Sequence, residues 1–155
     1  MLVLVSENQL DEWVRANAQN AQGVIVELVW RLVAASCPKP RERRFPLGDS
    51  IGQHGPDGVL DVDLGFPPFV PEGRSFWEIG TGLMARDKAT SDYNDLTAAI
   101  PESVRQESTF VFVTPLYLGG GTGSTHGRRA IRLLGLRNAA ADTNGRTFGS
   151  LTGQN

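Results

Sequence analysis

The sequence predicts an α/β domain in which helices flank a mixed sheet. Apolar residues from 8 to 36 recur mostly at three- and four-residue spacing, which is typical of an amphipathic helix. Segments 59–64, 75–79 and 108–114 alternate apolar and polar residues or are rich in β-branched and aromatic residues, as strands are. A polar-faced helix is expected at 85–99. Helices interleaved with strands in this order favour a sheet with helices packed on it.

Prolines mark the boundaries of several predicted elements. Pro38 and Pro40 end the first helix, because neither can continue helical geometry. The short apolar stretch 45–47 supplies a first strand, which completes the order helix, three strands, helix, strand. Segment 66–73 is too rich in proline to be a central strand, so we expect a loop packed on its two phenylalanines. Pro101 closes the second helix.

Length and composition indicate one globular domain with one core. The chain has 155 residues, of which 40% are hydrophobic and 21% charged. No apolar run is long enough to span a bilayer, and the apolar residues 1–5 lack the basic residues that open a signal peptide. The single Cys37 cannot form an internal disulfide. These observations predict a cytoplasmic location without a membrane partner.

Charge divides the chain into two unlike parts. Residues 1–114 contain 16 acids and 10 bases, a net charge of −6, whereas residues 115–155 contain one acid and five arginines, a net charge of +4. We therefore predict a domain at 1–116 and a Gly/Arg-rich tail at 117–155 that is poorly ordered or not native to the domain. The tail offers one short helix candidate, at 130–136.

Two acidic residues are the strongest candidates for chemistry. Asp57 lies in Gly55-Pro56-Asp57-Gly58, directly before a predicted strand, and Glu78 lies on the next strand, after Phe76-Trp77. Adjacent strands are about 5 Å apart, so both carboxylates can reach one ion. Magnesium prefers one or two protein carboxylates and takes its other ligands from water and phosphate. The pair therefore predicts a site for Mg²⁺ or Mn²⁺ that acts on phosphodiesters.

Two further residues are candidates for the same site. Lys88, on the helix after the Glu78 strand, would stabilise the extra negative charge on phosphate in the transition state. Glu27, among apolar residues of the first helix, would hold water or a second ion. The alternative for Glu27 is an ion pair with Arg31 one turn away. The alternatives for Asp57 and Lys88 are a turn residue and a solvated helix residue.

The order of elements, with Pro56-Asp57 before the second strand and Glu78 on the third, resembles the PD-(D/E)XK nuclease domain, a restriction endonuclease-like fold with an αβββαβ core. The resemblance covers residues 8–116 and implies a Mg²⁺-dependent endonuclease acting on DNA, with Asp57, Glu78, Lys88 and Glu27 as catalytic residues. Four stretches are also similar to N-terminal domains of large bacterial antiphage-defence proteins: 45–50, 69–73, 77–81 and 109–115. The net charge of −6 argues against strong nonspecific DNA binding by this domain alone, so we expect a homodimer or attachment to a larger sensor or NTPase protein.

One position departs from the family pattern, and two other functions stay open. The family places a lysine two residues after the glutamate, where this chain has Gly80. A catalytically inactive nuclease-like domain, which binds without cutting or recruits a neighbour in a larger defence protein, is therefore the first alternative. The second is a nucleotide-binding module built on the glycine-rich segment 119–125, which lacks the lysine that a phosphate-binding loop needs.

Overall fold

The computed structural model describes residues 5–46, 55–116 and 132–135, in which an open mixed sheet is combined with helices. This architecture confirms the predicted α/β class. The elements in chain order are α1 (Glu7–Ala16), α2 (Ala18–Ser36), β1 (Glu42–Arg44), β2 (Gly58–Val62), β3 (Gly73–Ile79), α3 (Ala85–Ala99), α4 (Glu102–Arg105), β4 (Ser108–Val113) and β5 (Arg132–Gly135).

Within the described residues the sheet has five strands, and their order in space is the order in sequence. The pairs β1–β2, β2–β3 and β4–β5 are antiparallel, whereas β3 and β4 run parallel. A parallel pair needs a crossover connection, which α3 and α4 provide. Among the described residues, no helix is long and apolar enough to cross a membrane.

Alternation along the strands directs apolar side chains to both faces of the sheet. One face packs on α1 and α2, and the other packs on α3. On the α2 face the buried strand residues are Leu60, Val62, Trp77, Ile79 and Val111. On the α3 face they are Val59, Phe76, Phe110 and Phe112. The domain is therefore a three-layer sandwich over the described residues, and residues next to each other in a strand serve different layers.

The single helix predicted over 8–36 is divided at Asn17 into α1 and α2, and α2 is continuous through Gly23. Ser6 and Gln9 form a capping box at the start of α1, with the Gln9 side chain accepting the Ser6 N–H at 2.8 Å. Asn17 follows the end of α1, and both its backbone N–H and its side-chain amide donate to the Trp13 carbonyl, at 3.0 Å and 2.8 Å.

The first strand lies at Glu42–Arg44, three residues earlier than the apolar stretch 45–47. Phe45 is buried against Trp77, with ring centroids 5.9 Å apart. A Cβ atom at Gly58 would lie 2.3 Å from the Phe45 ring, so only glycine lets the ring take this place. The apolar residue that indicated a strand is therefore a core aromatic just beyond it.

The remaining predicted elements divide into confirmed and corrected ones. The helix Ala85–Ala99 has the predicted bounds, and the rings of Phe66 and Phe69 stack in the proline-rich loop with centroids 6.3 Å apart. The short helix candidate at 130–136 is wrong for Arg132–Gly135, which pairs with the edge of β4. An open strand edge offers unpaired N–H and C=O groups that a helix would not use. The prediction that the tail at 117–155 is poorly ordered concerns, apart from Arg132–Gly135, residues outside the described ranges.

Candidate active site

The register of β2 and β3 brings Asp57 and Glu78 together. Gly58 pairs with Trp77, so Asp57 and Glu78 are the next opposed residues. Trp77 and Ile79 point to the α2 face, which places Glu78 on the α3 face. Asp57 Oδ2 accepts the Ile79 N–H at 2.8 Å, and Asp57 and Glu78 each affect the pKa of the other. The two predicted metal ligands are therefore neighbours at one end of the sheet.

Burial and mutual repulsion change the acidity of this pair. Burial, followed by the charges of Asp57 and Asp92, raises the pKa of Glu78 to about 8. Burial also raises the pKa of Asp57, although the Ile79 N–H and the charge of Lys88 oppose that shift. Two carboxylates in contact cannot both ionise easily. At neutral pH the pair therefore keeps one proton.

Lys88 lies on α3, where its charge lowers the pKa of both Asp57 and Glu78. Its ammonium group forms an ion pair with Asp92 at 2.5 Å, one helical turn further along. Burial disfavours the charged ammonium, but the hydrogen bond and charge of Asp92, together with the charges of Glu78 and Asp57, outweigh burial and raise the pKa of Lys88. Lys88 is thus a cation at neutral pH, beside both carboxyl groups.

Asp92 is the site residue that sequence reasoning missed. Its charge raises the pKa of both Asp57 and Glu78, and its carboxylate holds Lys88. The signal available in the sequence was the i,i+4 spacing of Lys88 and Asp92, which puts both on one helix face. That spacing is common on solvated helices, so it did not distinguish Asp92 from an ordinary surface acid.

Position 80, two residues after Glu78, is closely packed in the structure. Gly80 is buried, and a Cβ atom there would lie 2.5 Å from Phe112 Cζ. Phe112 is fully buried and is the parallel partner of Glu78. Position 80 therefore has no room for any side chain, and Lys88 supplies the cation from the other side of the loop.

Gln22, on α2, forms hydrogen bonds with residues at the end of β3. Its side-chain amide donates to the Ile79 carbonyl at 2.9 Å, and its oxygen accepts the Thr81 hydroxyl at 2.9 Å. Ile79 is also the residue whose N–H meets Asp57. These bonds hold the Ile79 carbonyl and the Thr81 side chain, one on each side of Gly80, next to the acid pair.

Glu27 is not brought into this group. It pairs with Arg31 at 2.6 Å on the solvent side of α2, and both side chains are largely exposed. The sequence had left this ion pair open as the alternative to a catalytic role. Glu27 is not among the charges that shift the pKa of Asp57 or Glu78.

The basic segment that includes Arg41, Arg43 and Arg44 forms the edge of the sheet. Arg41 pairs with Asp61 at 2.6 Å and with Asp63 at 2.8 Å, and Arg43 lies over the Trp30 ring. Arg44 is opposite Val59 on the α3 face, two residues along β2 from Asp57. Of these three arginines, only Arg41 is paired with acids among the described residues, while Arg44 is an exposed cation at the site end of the sheet.

The oxygen atoms of Asp57 and Glu78 suit a hard divalent cation that keeps several of its water ligands. Among the described residues, no group of three or more His, Cys, Asp or Glu side chains could hold a metal ion. Asp57 and Glu78 supply two carboxylates, which matches the one or two that Mg²⁺ takes from proteins. A divalent cation would also relieve the repulsion that raises the pKa of Glu78. The residues therefore fit Mg²⁺ or Mn²⁺.

Comparisons of the chain with known protein families, with curated proteins and with solved structures found no match. The resemblance to PD-(D/E)XK domains accordingly stays a prediction. The glycine-rich segment 119–125, on which a nucleotide-binding module would depend, lies outside the described residues. The function of the chain has to be inferred from the geometry at Asp57, Glu78 and Lys88.

Proposed function

We propose that the chain is a Mg²⁺- or Mn²⁺-dependent endonuclease that hydrolyses phosphodiester bonds in DNA, on a restriction endonuclease-like core. The observation that supports this most is the contact between two partly buried carboxyl groups, Asp57 and Glu78, with the Lys88 ammonium beside both. A metal-dependent nuclease needs oxygen ligands for the ion and a cation for the phosphate. The site supplies both.

Each residue would have a distinct role. Asp57 and Glu78 would hold the cation, which when bound neutralises charge on the phosphate and lowers the pKa of the attacking water. The Ile79 N–H orients Asp57, so the carboxylate is positioned before any ion arrives. Lys88 would stabilise the charge that develops on the phosphate oxygens. Asp92 holds Lys88 in place, and Gln22 holds the backbone of the β3 end.

A nuclease-like domain that binds DNA without cutting it is the second candidate. The Lys88–Asp92 ion pair favours it, because Asp92 already neutralises the ammonium group that the transition state requires. In either case the domain would act as part of a bacterial defence protein, as a homodimer or attached to a larger sensor or NTPase. The two candidates differ in whether phosphodiester bonds are broken.

Cleavage of supercoiled and linear DNA tests the proposal directly. Purified protein is incubated with each substrate in Mg²⁺, in Mn²⁺ and in EDTA. We expect nicking or linearisation with either ion and none in EDTA. Asp57→Asn should abolish cleavage, and Lys88→Met should lower its rate roughly 10²- to 10³-fold, as the loss of a transition-state donor does.

The matched control is Asp63→Asn, which removes an exposed carboxylate just beyond the opposite end of β2 from Asp57. It should cleave like the wild type. Equal cleavage by the wild type and Asp57→Asn would refute the site. DNA binding without cleavage in either ion would favour the second candidate.

A further inference from the structure

Two large apolar side chains stand exposed at the loop between β3 and α3. Leu83 is 74% exposed and Met84 is 69% exposed. Single exposed apolar residues are ordinary, but two adjacent ones on a loop tip keep unfavourable apolar surface in water. At neighbouring Gly82 a Cβ atom would meet nothing within 4 Å, so the backbone before the two side chains also borders open space.

The tip lies next to the acid pair. The loop starts two residues after Glu78, and the Lys88 N–H donates to the Met84 carbonyl at 3.0 Å. Met84, Lys88 and Asp92 are spaced at i, i+4 and i+8, so they follow one another along one face of the helix. Since Lys88 faces Asp57 and Glu78, Met84 lies one turn from it, beside the reaction centre.

A bound substrate would have to pass this tip. A phosphodiester held by the acid pair and Lys88 carries a nucleoside on each side, because the backbone continues in both directions. One of these nucleosides would come against Met84 and Leu83. Exposed leucine and methionine are among the side chains that proteins insert between base steps of duplex DNA from the minor groove.

We propose that Leu83 and Met84 form an apolar wedge that enters a base step of duplex DNA next to the phosphate held at Asp57, Glu78 and Lys88. This inference rests on the proposed nuclease function and adds the part of the substrate that the loop contacts. The wedge unstacks one step, and the resulting bend brings the phosphate towards the carboxyl pair. It acts by positioning and takes no part in the chemistry.

The test measures unstacking rather than cleavage. DNA duplexes carry 2-aminopurine at successive positions, and its fluorescence rises when the base loses its stacking partner. Binding is followed in Ca²⁺, a hard cation for the same oxygen ligands. The variants are the double substitution Leu83→Ser and Met84→Ser and a matched control, Leu64→Ser, which removes a leucine that is 80% exposed at the other end of the sheet.

We expect the wild type and Leu64→Ser to raise the fluorescence at one step. The double variant should leave it unchanged and bind DNA roughly tenfold more weakly, as losing the apolar contact of two side chains implies. Without DNA, all three proteins should melt at the same temperature and bind Mg²⁺ alike in calorimetry, since Leu83, Met84 and Leu64 are all largely exposed.

Two results would overturn the wedge while leaving the nuclease proposal intact. One is DNA binding by the wild type with no rise in fluorescence at any step. The other is equal affinity and equal fluorescence for the wild type and the double variant. Absence of DNA binding by the wild type would instead remove the proposed function itself, and the wedge with it.

Discussion

The two helical layers of the domain differ in what they contribute. α2 turns Ile25, Val26, Val29 and Val33 into the core against one face of the sheet. α3 buries Ala85 and Leu96 against the other face and carries Lys88 and Asp92 at the acid pair. The α2 layer supplies mostly core residues, with Gln22 as its link to the site, whereas the α3 layer supplies the charged side chains next to the acid pair. Stability and the proposed function can therefore be changed separately.

The largest expected loss of folding stability comes from substitutions in the α2 layer. Ile25 is 3% exposed, and Ile25→Ala should lower the free energy of unfolding by about 2–5 kcal/mol, the usual range for emptying such a site. The matched control is Val24→Ala, at the preceding residue, which is 47% exposed. This substitution should change the free energy of unfolding little. Denaturant unfolding followed by circular dichroism measures both. Equal losses would contradict the layer assignment.

The next effect is at the boundary between the layers. Gly80→Ala places a methyl group 2.5 Å from the Phe112 ring, and overpacking of this kind costs about 1–3 kcal/mol. The displaced ring is the strand partner of Glu78, so cleavage should fall as well. Gly82→Ala, where a Cβ meets nothing within 4 Å, is the control for the loss of glycine. Thermal melts and cleavage rates compare the two variants.

The third prediction concerns how folding stability depends on pH, through Glu78 on the α3 face of the sheet. The folded protein holds a proton on Glu78 up to a pKa of about 8, well above the ordinary 4.5. Between these values the folded state binds more protons than the unfolded state, so stability must fall as pH rises from about 5 to 8. Melting temperatures across this range, without metal, should decline.

Two comparisons identify the source of that decline. Glu78→Gln removes the titrating group and should flatten the curve. Mg²⁺ should raise the melting temperature most at pH 8, because it binds the deprotonated pair and stabilises the folded state by mass action. A wild-type curve that rises with pH would show that the pair is not buried as described.

The smallest effect is at Glu27. Glu27→Gln removes an exposed i,i+4 ion pair with Arg31, which is worth a few tenths of a kcal/mol. Because Glu27 lies on the α2 layer and away from the acid pair, its loss should not resemble Asp57→Asn in the DNA cleavage assay. Matching losses in the two variants would return Glu27 to the site that the sequence analysis assigned it.

The sequence predicted those elements whose signals are local. α3 has the predicted bounds because Pro101 ends it, and β4 was found because its residues are β-branched and aromatic. At Asn17 the side-chain amide meets the Trp13 carbonyl, and just beyond β1 the Phe45 ring packs on Trp77. Such contacts follow from three-dimensional packing and leave no pattern in the chain.

The same limit applies to the candidate site. Asp57, Glu78 and Lys88 were identified from their residue types and their places on predicted elements. The strand register that opposes Asp57 to Glu78 and the two hydrogen bonds of Gln22 were not visible, because each joins residues far apart in the chain. Glu27 was included because its neighbours are apolar, although its own side chain points to solvent.

The contact between Gly80 and Phe112 also constrains how this site can change by mutation. A lysine at position 80 requires a smaller residue at 112, whereas an aromatic residue at 112 requires glycine at 80. Either change alone leaves a clash or a cavity in the core, so no single substitution leads from one arrangement to the other. In any lineage carrying this fold, the two positions should vary together, and the cation on the following helix should appear only where the glycine does.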